Sequence, residues 1–462
     1  MSSIVVAGDV SGSVTLSAPS AAGSVVVTLP SASGTMAVTG GSPSFATLTV
    51  TGDATISGLT VGKGGGAVST STVIGNLALN SNATGVDNAM FGYNSGYYIT
   101  SSQNSFFGSN SGLFQKTGSS NTAIGYSAFT GLSTPANNTG SNNTAVGVSA
   151  LQSNTTASNN TAVGYQAGYS NTTGDLNVAI GTQALYSCTT ASSNTAVGYQ
   201  AGYATTGANN TFIGRQAGQS NTTGTQNSSL GSAALSTNTT GAYNTAIGRS
   251  ALGFNTTAER STAVGYQAGY NQTAAGYTVS IGSYAGWSYA SGAGNGFNVM
   301  VGDSAGYYST GYQNTYIGDS SGSSMTTGAK NTIIGRYNGN QNGLDIRTGN
   351  NYVVLSDGDG NIRAYWNGAN ATFGGRLVLT STVGGAETIQ LNNNAASGTR
   401  YLGYFRVNEV EVGSITTGGT TTAYNTSSDY RLKENVAPMT GALDKVAQLK
   451  PCTYTWKKDN SD

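Results

Sequence analysis

The sequence predicts an all-β protein, most of it a repetitive parallel β-solenoid of about sixteen stacked coils. Three observations carry that expectation. A glycine preceded by a short apolar phrase, as in "AVG" and "AIG", stands at 75, 92, 108, 125, 147, 164, 181, 198, 214, 231, 248, 265, 282, 302, 318 and 335, so sixteen anchors are separated by fifteen steps of about 17 residues. Columns read relative to these anchors keep one residue type from coil to coil. The composition, 68 Gly with only 8% charged residues, suits tight turns and stacked identical coils and offers no 3.6-residue apolar stripe for helices.

Residues 1–70 come first. "SGSVTLSAPSAAGSVVVTLPSASGTMAVTG" and "FATLTVTGDATISGLTVGKGGG" alternate Val, Leu and Thr between Gly, Ser and Pro breaks, which gives short strands joined by turns. The start, "MSSIVVAGDVSGSV", lacks the basic run and long apolar stretch of a signal peptide, so synthesis and retention in a cytoplasm are expected, and no stretch is apolar enough for membrane insertion.

Residues 71–340 are the solenoid. The position before the anchor is apolar in all sixteen coils and is taken as the core; two residues further back stands Thr or Ser in twelve coils. Three after the anchor stands Ala in twelve coils, four after it Gly in ten and Leu or Phe in six, and four before it Asn in thirteen, which suits a turn that stacks into an amide ladder. One firmly apolar column encloses little core, so the chain is expected to associate through the small-residue face as a homotrimeric fibre. The column after the anchor carries Tyr93, Tyr126, Tyr165, Tyr199 and Tyr266, then Asp303, Asp319 and Arg336, a candidate surface ladder that faces solvent or a neighbouring subunit. Asp303 and Asp319 should stack about 5 Å apart in adjacent coils, with Arg336 offsetting them.

Residues 341–428 lose the period but keep the β composition, with aromatics in "NIRAYWNGANATF" and "TRYLGYFRV". This is the candidate distal receptor-binding domain. "SDGDGN" from Ser356 has Asp357, Asp359 and Asn361 at calcium-loop spacing, but Ile362 and Gly368 stand where that loop needs Gly and Glu, so a hairpin turn is expected. From Asp429 to Asp462 the charge density rises, and "TGALDKVAQLKP" places Leu443, Val446, Ala447 and Lys450 at helical spacing with Thr440 as N-cap and Pro451 as stop.

The absence of His excludes Ser-His-Asp triads, Cys-His dyads and His-ligated zinc. Eighteen basic residues balance eighteen acidic ones, leaving no excess to attract nucleic acid. Cys188 and Cys452 form no CxxC pair and read as free thiols. No motif asks for a cofactor or metal.

Several phrases resemble known families. "NTAVGYQA" and "NVAIGTQA" look like the head repeats of trimeric bacterial surface adhesins, whose unit is shorter, and also resemble repeats of bacteriophage tail fibres; both N-terminal phrases are similar to virion-proximal parts of such fibres. "SSDYRLKENVAPM" and "LKPCTYTWKK" closely resemble the start of the S74 intramolecular chaperone domain of phage fibres and tailspikes, with its Ser-Asp-x-Arg-x-Lys signature on Ser428, Asp429, Arg431 and Lys433. The resemblance implies a trimer-assembly chaperone, truncated here to 34 residues, that severs itself at the Ser428 to Asp429 bond. Lys433 would act as base for the Ser428 hydroxyl. It further implies a virion appendage joined to phage tail or baseplate proteins at its N-terminus and to a bacterial surface glycan or protein at its C-terminal region. A glycan-depolymerising tailspike and a bacterial trimeric surface adhesin are the alternatives.

Overall fold

The structure is a computed structural model that describes residues 54–56, 59–63, 70–82, 84–274, 276–288, 296–368, 370–373, 400–407, 410–417, 422–426 and 440–448. It divides into two compact units, Met1–Asn370 and Ala371–Asp462. Strands Ala54–Ile56 and Leu59–Gly62 form an antiparallel hairpin whose second strand pairs antiparallel with Thr72–Ile74. From there the strands run parallel as far as Thr332–Ile334. Each three-residue strand pairs parallel and in register with the next, from Thr72–Ile74 to Thr332–Ile334, giving the solenoid of about sixteen turns. Tyr352–Ser356 adds one more parallel rung, with Ile334 opposite Leu355, before Ile362–Asn367 returns antiparallel.

A coil follows from its residue types. In the coil of Gly164, Thr161–Val163 is the strand, and Ala162 at its centre points inward and is fully buried. Gly164 then turns the chain at φ 136°, where a Cβ would lie 2.6 Å from the carbonyl oxygen of Gly181 in the next coil. Ala167, three residues on, is also fully buried. Asn160, before the strand, donates its backbone N–H to the Asn143 side-chain oxygen (3.0 Å) and accepts the backbone N–H of Asn177 on its own (2.8 Å). The predicted amide ladder is therefore present, and it satisfies backbone donors that would otherwise be orphaned in the interior.

The core lies elsewhere than the sequence reading placed it. The apolar column before the anchor is not buried: ten of its sixteen members, including Phe107, Ile124, Ile180, Leu230 and Ile334, are 36–50% exposed, and the other six are half-buried. A three-residue strand with its middle residue inward turns both flanking residues outward, because side chains alternate. The core is the middle column, Val73, Met90, Phe106, Ala123 and onward, together with the Ala column and the position after it. The Ala column is thus interior and cannot serve as the surface for association.

The middle column varies in size, and the residue four after the anchor compensates. Where the middle residue is Met90, Phe106, Phe212, Met300 or Tyr316, that position is Gly; a Cβ on Gly218 would lie 2.5 Å from the Phe212 ring. Where it is Ala123, Ala145, Ala179 or Ala246, that position is Phe129, Leu151, Leu185 or Leu252, all buried. Two small residues occur together at Ala162 and Gly168, and there Leu151 of the preceding coil fills the space, its Cδ2 standing 2.9 Å from where a Gly168 Cβ would be. Size at one position thus offsets size at the other from coil to coil.

Asn171, Asn221 and Asn238 form a second buried amide column in the coil's other turn, each closing onto the carbonyl three residues on at 2.9 Å. Cys188 occupies this column, free and buried, and burial pushes its thiol up to about 11. The long step between Gly125 and Gly147 holds a 3₁₀ turn, Pro135–Asn137, with Pro at its start.

Among the described residues of the second unit, Arg400–Val407, Val410–Thr417 and Thr422–Thr426 form an antiparallel meander and Ala442–Ala447 is a helix. Gly441, at φ 68°, occupies the N-cap in place of Thr440, and no side chain caps the helix. Leu443 and Val446 on this helix are 85% and 60% exposed. Among the described residues no helix is long and apolar enough to cross a membrane.

Candidate functional site

Three outward columns of the solenoid carry chemistry. Tyr93, Tyr126, Tyr165, Tyr199 and Tyr266 all point outward, 36–57% exposed, as read from the sequence. Because in-register coils place equivalent residues on successive rungs, Tyr126, Tyr165 and Tyr199 recur on every second rung, with Val148 and Thr182 between them. Tyr266 lies under the Arg249 guanidinium at 5.7 Å and meets Tyr284 edge-on at 5.1 Å.

Further along the same column Asp303, Asp319 and Arg336 follow on consecutive rungs. Arg336 Nε bonds the Asp319 carboxylate at 2.9 Å, and Asp303 accepts the Ser304 hydroxyl at 3.0 Å. Each member of the Arg336 pair is about half exposed, so the pair contributes at most about 1 kcal/mol. This arrangement spends one of the two carboxylates on a cation and leaves no free acid pair to share a proton.

The sequence reading missed two further aromatic sets. Tyr169, Tyr186 and Tyr203, five residues after their anchors, stack at centroid spacings of 5.1 Å and nearly parallel. Tyr270, Trp287 and Tyr307 do the same at 6.1 and 5.1 Å. The second Tyr of the phrase "VGYQAGY" was the available signal. Rings stacked along the axis cover one another's faces, so inside such a column a sugar ring finds edges and no open face. Desolvation between its neighbours, then the Tyr169 and Tyr203 hydroxyls, raises the Tyr186 pKa. A separate set forms before the strands, where Arg260 lies 5.1 Å from the Tyr243 ring and 5.5 Å from the Tyr277 ring and donates to the Tyr277 hydroxyl at 2.7 Å. Phe297 stacks on Tyr277 at 5.0 Å.

"SDGDGN" is a hairpin turn, as expected. Asp357 accepts the backbone N–H groups of Asp359 (3.0 Å) and Asn361 (2.8 Å), the Asn361 amide (3.2 Å) and the Arg363 guanidinium. Desolvation works against its charge, but the bonds from Asn361, then those from Arg363 and Asp359, hold its carboxyl down at about 2. The carboxylate is engaged in closing the turn.

Ser428, Asp429 and Lys433, the residues assigned to self-cleavage by resemblance, lie outside the described residues, as does Cys452. No curated protein and no solved structure matches the chain. Residues 428–462 match Peptidase_S74, the chaperone of endosialidase, and this C-terminal segment together with a parallel β-solenoid of about sixteen coils fits a phage tail fibre or tailspike with a C-terminal chaperone.

Proposed function

We propose that the protein is a structural appendage of a bacteriophage virion, a homotrimeric tail fibre that mediates attachment to a bacterial surface. The observation that carries this reading is the chaperone match at residues 428–462 behind a solenoid of stacked, in-register rungs. Such a stack is a passive spacer. Each coil packs on its neighbours alone, and outward columns repeat a side chain along its length, which suits projection and multivalent contact with a repetitive surface. The N-terminal region joins the particle and residues 341–428 face the receptor, a surface glycan or protein. The tailspike alternative needs a free carboxylate pair, and the bond between Arg336 and Asp319 speaks against the one pair the solenoid offers.

In this reading the C-terminal segment assembles three chains and then leaves. Lys433 takes the Ser428 hydroxyl proton and delivers a proton to the Asp429 nitrogen as the Ser428–Asp429 amide breaks, and one water is consumed, leaving a carboxylate on Ser428 and an amine on Asp429. Sedimentation of the purified, unheated protein tests the fibre: a mass of three chains and an elongated particle are expected, and a compact single chain overturns it. Intact-mass analysis tests the cleavage, with loss of residues 429–462 expected in the wild type and abolished in Ser428→Ala and Lys433→Met.

A further inference from the structure

The trimer needs a contact surface, and the Ala column assigned to it from the sequence is interior. The structure offers another. The column before the anchor, Ile74, Phe91, Phe107, Ile124, Val146 and on to Ile334, is apolar without exception and nowhere buried, and Leu355 extends it by one rung. Its neighbour on the outward face, three before the anchor, holds Thr, Ser, Val or Ala in every coil. Eleven charged residues occur between 71 and 340, and none falls in either column.

The size of this stripe decides what it is for. Each side chain leaves on the order of 60 Å² of apolar surface in water, so sixteen leave roughly 1,000 Å² in one continuous line. A monomer's largest apolar patch is about 300–600 Å², and a stable interface takes about 800 Å² from each partner. A stripe of this area with no charge along it is a buried surface in the working protein.

The period identifies the occupant. Apolar side chains project at every rung, about 4.8 Å apart, through the whole solenoid. A partner that matches all of them must carry the same period over the same length, and a second copy of this chain does so. Copies related by a rotation axis parallel to the stack bring each residue against its own equivalents, so every layer contains the same side chain from every chain.

We infer that the column from Ile74 to Ile334 faces the molecular axis and forms the subunit interface, one layer of Ile, Val, Phe or Leu per coil. This inference rests on the trimeric reading and assigns the face that the reading requires. The outward Tyr, Asp and Arg ladder and the stacked aromatic columns are other columns of the same coils and stay available at the flanks.

The test uses the full chain with Cys452→Ser, Cys188 being buried, and a single new cysteine at Ile180→Cys or, as a second site, Val163→Cys. Thr173→Cys in the opposite turn is the control. A short bis-maleimide is added to the native protein and the products are separated after denaturation. Around a three-fold axis only two of three thiols can be joined, so a dimer band that stops at about two-thirds of the chains is expected at positions 180 and 163, with background at 173. A particle of three chains that cross-links at 173 but not at 180 or 163 overturns the interface while leaving the trimer standing. A single-chain mass overturns both. Ile180→Glu with Ile213→Glu adds an independent readout: the strand signal in circular dichroism should persist while the native mass falls to one chain, and retention of the three-chain mass counts against the assignment.

Discussion

Gly181 and Asp357 show how much one residue can hold. Gly181 sits at φ 129°, and a Cβ there would stand 2.4 Å from the carbonyl oxygen of Gly198, backbone that cannot yield without opening the stack. Gly181→Ala should therefore destabilise by about 2–4 kcal/mol, read as a lowered melting temperature. Gly358→Ala, where a Cβ meets nothing within 4 Å, should change stability by less than about 0.5 kcal/mol. The repeat made the anchor glycines conspicuous, and their reason is the approach of the next coil. For Asp357 the folded carboxyl is held at about 2, below the ordinary carboxylate value near 4. Its contribution is present above the unfolded pKa and is lost as pH falls through about 2. Asp357→Asn should flatten the dependence of stability on pH between about 4 and 2 while leaving the neutral fold intact; an unchanged acid titration would refute the role.

At the level of the coil, the Asn column and the core columns act as units. Asn177 accepts the backbone N–H of Asn194 (2.9 Å) and donates to the carbonyl of Ala191 (2.9 Å), both in the following coil. Asn177→Ala strands a buried donor and a buried acceptor, for an expected loss of about 2–4 kcal/mol by thermal or denaturant unfolding; Asn177→Leu should do no better, since the orphans remain. The core makes a sharper prediction. Phe212→Ala empties the space between Gly202 and Gly218 and should cost about 3–5 kcal/mol. Adding Gly218→Leu reproduces the pattern of neighbouring coils, where Leu185 and Leu235 hold the same left-handed conformation at φ 49° and 52°. The double variant should regain more than half of that loss, and a purely additive pair of penalties in the mutant cycle would refute the compensation. This inverse size relation is visible in the sequence once the strand centre is known to be the core. With the core placed one residue too late, it stays hidden.

For the solenoid taken whole, stability is a sum of coil and neighbour terms, so its natural unit of change is one coil. Excising residues 165–181, which is 17 residues, brings Thr161–Val163 beside Thr195–Val197 and Asn160 beside Asn194 with every column intact. That variant should fold with a melting temperature within a few degrees of wild type. Deleting Ala162 alone, from the centre of its strand, puts the residues before it out of their columns and should cost more than removing all seventeen; the opposite ranking by thermal unfolding would overturn the nearest-neighbour picture.

The sequence by itself determined the period, the anchors, the amide ladder and the β class, because each is a local requirement repeated in every coil. It also exposed the chaperone signature, which is a string of residues. It did not determine which side of a three-residue strand is inside. Alternation fixes that the residues flanking the strand centre share a face, but an all-apolar column reads the same whether it packs within a coil or against another chain. Only the tertiary structure decided this: the coil is closed by the Ala column and by the residue four after the anchor, and once these fill the interior no room remains for Ile, Val and Phe, which turn outward.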